Sequence, residues 1–191
     1  MKNYNEFNND LYLLQCNKLG LTNNRDLEEA EAFVFFIRAI QVEQGSYLLS
    51  SFTLEDFKNL HEHLFQDIYP FAGQFRNVQL VKGNTRFCQH QFIETNAQVL
   101  FDELQNEEDW KSLDEASERL AYFKTELNML HPFREGNGRT IRIFIQKYAL
   151  MKNIKWDITL IDRDLYLEAM IHSKTNPQLL KELFLSTIEF N

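Results

Sequence analysis

The stretch from His131 to Arg142, "HPFREGNGRTIR", gathers a histidine, a glutamate, an asparagine and arginines around two of the chain's six glycines. Gly136 and Gly138 let the backbone adopt positive φ, so successive amides can point into one concavity. A helix starting near Arg139 adds its first amides and its dipole, and both favour an anion. Arg139 and Arg142 stand three apart, on neighbouring positions of one helix face. Their planar guanidinium forks can then aim at the same anion, which suits phosphate. Glu135 beside a bound polyphosphate would repel it unless a hard cation such as Mg²⁺ lay between them. His131 closes the preceding helix, which Pro132 stops, and an imidazole there can take a proton from an incoming hydroxyl. Each feature alone has a bland reading: a helix–helix turn, a surface ion pair, a helix end. All of them within nine residues, in an order that lets one substrate touch them all, favour the functional one.

The elements that must position this cluster are mostly helical. The segment "LEEAEAFVFFIRAIQVEQ" places Leu27, Ala30, Phe33, Phe36 and Ile37 on one face. The segment "TLEDFKNLHEHLFQDIY" opens on Thr53 as an N-cap and repeats Leu54, Phe57, Leu60, Leu64 and Ile68 at helical spacing. Further helices are expected near 91–106, 114–130, 139–152, 162–174 and 178–189, the last starting after Pro177. One segment departs from the pattern. "QFRNVQLVKGNTRFC" alternates through Phe75, Val78, Leu80 and Val81 and turns at "KGN", which signals a β-hairpin over about 76–88. Such a hairpin is either a solvent-exposed connection or a flap that covers a site or binds an extended peptide by strand addition.

Composition bounds the rest. The 191 residues, 44% of them hydrophobic and seventeen of them phenylalanine, fit a single domain with a packed core. A formal net charge of −8 argues against direct nucleic-acid binding or an anionic membrane surface. Two cysteines, Cys16 and Cys88, are too few for a disulfide framework and point to a reducing, cytoplasmic compartment. The N-terminal "MKNYNEFNNDLYLLQ" has no apolar run of signal-peptide length, and no later segment approaches a membrane span. In "HEH", His61 and His63 are two apart and face different ways, so packing is expected there and not a metal.

The motif resembles the signature of the Fic family (filamentation induced by cyclic AMP), H-x-F-x-[D/E]-G-N-G-R-x-x-R, and matches it throughout. "YPFAGQFR" at 69–76, "VKGNTRF" at 81–87 and "LTNNRDLEEAEAF" extend the likeness over most of the chain. The resemblance implies an all-α Fic fold, a helical bundle with a β-hairpin flap over the active site. It also implies a protein adenylyltransferase that moves AMP from ATP to a Tyr, Ser or Thr hydroxyl of a target protein. By motif position, His131 would be the general base and Glu135 the ligand of Mg²⁺ across the α- and β-phosphates. The amides of Gly136 to Gly138, with the Asn137 side chain, would bind the α-phosphate, Arg139 the β-phosphate and Arg142 the γ-phosphate. Asn128, Arg134 and Thr140 would complete the ATP site, with Lys82 and Gly83 bordering the nucleotide. Phe133 would anchor the loop in the core, and Val78, Leu80 and Val81 would dock the target as an added strand. A lysine stands at the Gly138 position in the Doc-like kinase branch, so Gly138 implies AMP transfer and not transfer of the terminal phosphoryl.

Family inhibition runs through a helix bearing [S/T]-x-x-x-E-[G/N], whose glutamate pairs with the second motif arginine. The final "STIEFN" has Glu189 only three residues after Ser186, and "DLEEAEAF" lacks the flanks. The resemblance then implies a separate small antitoxin that supplies the glutamate. Relatives modify type II topoisomerase subunits or GTPases, and no residue here chooses between them. The alternatives are a different nucleotidyl or phosphate-group transferase with the same cradle, or a nucleotide-binding regulatory module.

Overall fold

The computed structural model describes residues 7–83 and 85–191; the first residues of the N-terminal stretch and Asn84 of the expected turn lie outside them. Among the described residues eight α-helices follow in order: α1 Phe7–Cys16, α2 Asn24–Glu43, α3 Leu54–Phe65, α4 Ile93–Gln105, α5 Leu113–Leu130, α6 Asn137–Met151, α7 Arg163–His172 and α8 Gln178–Leu185. Their starts are chemically marked. Asn23, Thr53, Ser112 and Asp162 each accept an amide of the first turn, and Thr53 forms a reciprocal capping box with Asp56.

Helix α5 runs through the middle, packed on α4, α6 and α8. The core between α3, α4 and α6 is aromatic. Phe57 meets Phe144 edge-on at 5.1 Å and Phe101 at 5.4 Å, and Phe52 lies 5.6 Å from both Phe144 and Tyr148. Offset and edge-on contacts of this kind add to the area the rings bury. Phe133, from the motif, is fully buried 5.3 Å from Phe57. The loop that follows α5 is therefore part of the core as well as part of the surface.

Three expectations need correction. Helix α2 buries Leu27, Glu31 and Val42, while Phe33, Phe36 and Ile37 are exposed. Its buried stripe contains a glutamate, so hydrophobic periodicity favoured the wrong face. The last helix ends at Leu185, where the hydroxyls of Ser186 and Thr187 turn back to the carbonyl of Leu183. Ile188–Phe190 (β4) instead pairs antiparallel with Ile154–Trp156 (β3), a strand the sequence did not signal. The hairpin exists but is short: Val81–Lys82 (β1) and Thr85–Arg86 (β2), in the register Val81↔Arg86 and Lys82↔Thr85. Residues 75–80 lead into it outside the two strands, the Leu80 carbonyl alone accepting a cross-hairpin bond, from the Phe87 amide at 3.3 Å. No helix among the described residues is long and apolar enough to cross a membrane.

Candidate active site

The site is built where α5 stops and α6 starts. His131 caps α5 in the left-handed region, φ 44°, its amide still bonded to the Leu127 carbonyl. That turn swings the ring against Phe87, stacked at 3.8 Å and 13°. The Nδ1–H donates to the Asn128 carbonyl at 3.1 Å, which leaves Nε2 as the lone-pair nitrogen. Burial, helped by the charges of Arg76 and Lys82, pushes the imidazole down to about 3, against a smaller upward pull from the Asn128 carbonyl. His131 is therefore neutral near pH 7, in the protonation state of a base.

Gly136 initiates α6 at φ 78°, and a Cβ there would sit 2.5 Å from the Phe65 ring. Only glycine fits. No side chain caps this helix, so the amides of Asn137, Gly138 and Arg139 start it without an acceptor among the described residues. Gly138 differs from Gly136. A Cβ at Gly138 meets nothing within 4 Å, so the fold does not demand glycine and the space before the amides is open. An unfilled hollow at a helix N-terminus can seat a phosphate.

The motif loop is held from behind. Asn137 receives the Phe133 amide on Oδ1 at 2.8 Å and donates to the Phe133 carbonyl at 2.7 Å. Its side chain thus closes the loop through both bonds to the Phe133 backbone. Thr140 is buried with its hydroxyl on the Gly136 carbonyl, and Arg134 lies over the Tyr12 ring with Nε on Asn9, tying the loop to α1. His61 packs in the core and also holds two loops together. It accepts the Gly73 amide on Nδ1, stacks on Phe133 at 3.7 Å and donates from Nε2 to the Glu135 carbonyl at 2.9 Å. His63 stacks on Tyr47, away from the site.

Glu135 is buried, with Oε1 accepting the Gly136 amide at 2.9 Å and lying 3.3 Å from Nη2 of Arg139. Arg139 also reaches Glu31 of α2. Burial would lower the Arg139 pKa, but Glu31 and then Glu135 outweigh it and hold the guanidinium charged. Arg142 is half-buried and makes no hydrogen bond or ion pair among the described residues; its charge is felt at Lys124 and Tyr166. Glu189, the only acid in the C-terminal "STIEFN", is paired with Lys155 at 2.7 Å.

Arg76 joins the hairpin to the histidine. Its side chain is buried and donates to the carbonyls of Val78, Cys88 and His131, the last at 2.8 Å, while its amide bonds to the Pro132 carbonyl. Such burial pushes its pKa down to about 10. Leu80 is buried on Phe87, with Val78 partly buried against them, and Val81 is partly buried at the start of β1. Lys82 and Gly83 sit exposed at the tip. Beyond the flap, a depression of about 560 Å³ lies between α4 and α5, lined by Phe92, Val99, Glu103, Glu126 and Met129, not at the cradle.

Residues 51–149 match the family model described as the Fic/DOC family. The chain is 38% identical over 166 residues to "Protein adenylyltransferase VbhT" of Bartonella schoenbuchensis, covering 82% of this chain and 34% of that protein. It is 34% identical to "Probable protein adenylyltransferase y4lH" of Sinorhizobium fredii, covering 82% of this chain and 81% of that one. The chain thus spans about a third of VbhT and most of the Sinorhizobium relative. Among solved structures, the N-terminal Fic domain of a Bartonella quintana Bep effector with bound ADP superposes with a TM-score of 0.82 at 25% identity, covering 92% of this chain and 90% of that one. BepC of Bartonella tribocorum, with bound AMPPNP, gives 0.80 at 22% identity, covering 92% of each, and likewise has this fold.

Proposed function

This chain belongs to the Fic/DOC family, and on that premise we propose that it is a protein adenylyltransferase, moving AMP from ATP to a hydroxyl of a target protein. The observation that carries the reading is the pairing of a neutral His131, whose Nδ1–H is committed to the Asn128 carbonyl so that Nε2 carries the lone pair, with an α6 N-terminus that no side chain caps and that is open at Gly138. Phosphoryl-type transfer asks little covalent chemistry of the protein; placement and charge stabilisation suffice. His131 would accept the proton of the target hydroxyl as its oxygen attacks the α-phosphorus, and diphosphate would leave toward the arginines. The amides of residues 136–138 would hold the α-phosphate oxygens, with Arg142 on the terminal phosphate.

The residues fit Mg²⁺. Among the described residues no group of three or more acids, histidines or cysteines is placed to hold a metal ion by itself, but Glu135 offers one buried carboxylate beside the hollow. Mg²⁺ is held well by one carboxylate plus phosphate oxygens and water. When bound, it would offset the negative charge of the leaving diphosphate.

Regulation by a separate inhibitory glutamate is supported by Arg142, which no described side chain engages, and by Glu189, which is held at Lys155 instead. A bacterial topoisomerase subunit or a GTPase as target, and a cytoplasmic site of action, stay within this proposal. Incubation of the protein with a lysate and either α- or γ-labelled ATP tests the function. Label on protein from the α position alone is the expected result. Label from the γ position would favour a kinase, and none from either would leave a nucleotide-binding module.

A further inference from the structure

Arg139 has two carboxylates competing for one nitrogen. Its Nη2 lies 2.5 Å from Oε1 of Glu31 and 3.3 Å from Oε1 of Glu135. The second oxygen of Glu31 accepts the hydroxyl of Tyr69, and the guanidinium sits over the rings of Phe65 at 4.8 Å and Phe35 at 5.2 Å. Glu31 belongs to α2, outside the residues 51–149 that carry the family match, and is nearly as buried as Glu135. A glutamate in the buried stripe of an otherwise apolar helix needs a reason, because burying a carboxylate is costly unless it is paired.

We infer that Glu31 is a positioning residue: by taking the shorter bond to Arg139 it keeps the Arg139–Glu135 hydrogen bond long, at 3.3 Å, and so leaves the Glu135 carboxylate able to exchange that weak bond for a divalent cation. The inference rests on the nucleotide reading above. Its physical basis is the geometry of α6. Glu135 and Arg139 are four residues apart, the spacing at which such a pair closes by itself. In a buried site a closed pair would be a strong competitor for any cation. The shorter contact to Glu31, backed by the Tyr69 hydroxyl, takes the guanidinium the other way. Glu31 thus acts through Arg139 and touches neither nucleotide nor metal.

A split between metal-dependent and metal-free binding tests this. Calorimetry with AMPPNP, in EDTA and across a Mg²⁺ series, would compare the wild type with Glu31→Gln and Tyr69→Phe. For Glu31→Gln the Mg²⁺ concentration at half-saturation should rise about tenfold, the size of an ordinary coupling between sites. Metal-free AMPPNP binding should stay equal or tighten, because one negative charge near the polyphosphate is gone. Tyr69→Phe should move the Mg²⁺ requirement the same way by about threefold, since only the support of Glu31 is lost. A merely structural role would weaken both bindings together. An unchanged Mg²⁺ requirement, or a parallel loss, overturns the inference while the proposed function stands. If Glu31→Gln does not fold, Tyr69→Phe decides alone, and a wild-type Mg²⁺ requirement there overturns it. Failure of the wild type to bind AMPPNP would remove the nucleotide reading and this inference with it.

Discussion

The roles proposed for His131 and Gly138 differ, and substitution separates them. His131→Ala should cut transfer about 10²–10⁴-fold, the usual contribution of a positioned base, with little change in ATP affinity. Single-turnover rates beside binding curves check it; equal losses in both would remove the base role. Gly138→Lys should leave the melting temperature close to wild type, because its Cβ meets open space and lysine favours a helix over glycine by roughly 0.5–1 kcal/mol. Transfer of α-label should nevertheless fall at least about 10²-fold, as the side chain fills the hollow and misplaces the α-phosphate. Near-normal transfer would mean the hollow is not where the nucleotide sits. At this scale the sequence was informative about identity and less so about direction. His131, Phe133, Glu135, Gly136 and Gly138 all lie in the turn between α5 and the start of α6. Asn137, Thr140 and Arg134 turn their side chains inward or toward α1, because the loop spends its polar groups on its own closure. No spacing rule could reveal that Glu31, more than a hundred residues away, ends on Arg139.

Among elements, the flap is the one whose job can be isolated. Phe87 donates its amide to the Leu80 carbonyl, and Lys82 pairs with Thr85, so Val81 and Arg86 form the intervening non-hydrogen-bonded pair. The amide and carbonyl of Val81 therefore face away from β2, toward a free edge. Val81→Pro removes that outward donor without breaking the hairpin's own ladder. Modification of a protein target should drop roughly tenfold while AMPPNP affinity holds. Unaltered modification would mean that targets do not add a strand there. The hairpin was legible from its turn residues, but its brevity was not, since Arg76 supplies from a side chain the pairing that a longer ladder would have given. Periodicity failed on α2 for a related reason: a buried ion pair replaced an apolar contact. The β3–β4 ladder was hidden because three-residue strands carry too little pattern.

The molecule as a whole carries buried groups that resist protonation, and this makes its stability depend on pH in a stated direction. His61 and His131 are both lowered to about 3, mainly by burial. Between about 3 and the ordinary value of about 6.5 the unfolded chain binds more protons, so stability falls as pH falls through that window, by about 1.4 kcal/mol per unit per group. Lys124, fully buried 5.4 Å from the rings of Trp156 and Tyr166, is lowered to about 7 by burial and then by Arg142. Here too the unfolded chain holds the extra proton, between about 7 and the ordinary value of about 10.4, so raising pH favours the fold over that range. Lys124→Met should stabilise the protein at pH 7 by an amount on the order of 3 kcal/mol and flatten the rise between pH 7 and 9.5. Melting temperatures of both proteins across pH 5–9.5 check it; a less stable variant at pH 7 would show that Lys124 has a compensating anion.

Arg76 grips both ends of the flap and the backbone of His131 with one guanidinium. The flap and the imidazole therefore share a datum, as two marks scribed from the same peg. A displacement of the flap would then carry the histidine in the same sense, so that under the proposed function the gap between a target hydroxyl and the imidazole would vary less than either position. Tolerance to flap motion is thus set by the stiffness of one side chain, and not by the flap's own rigidity.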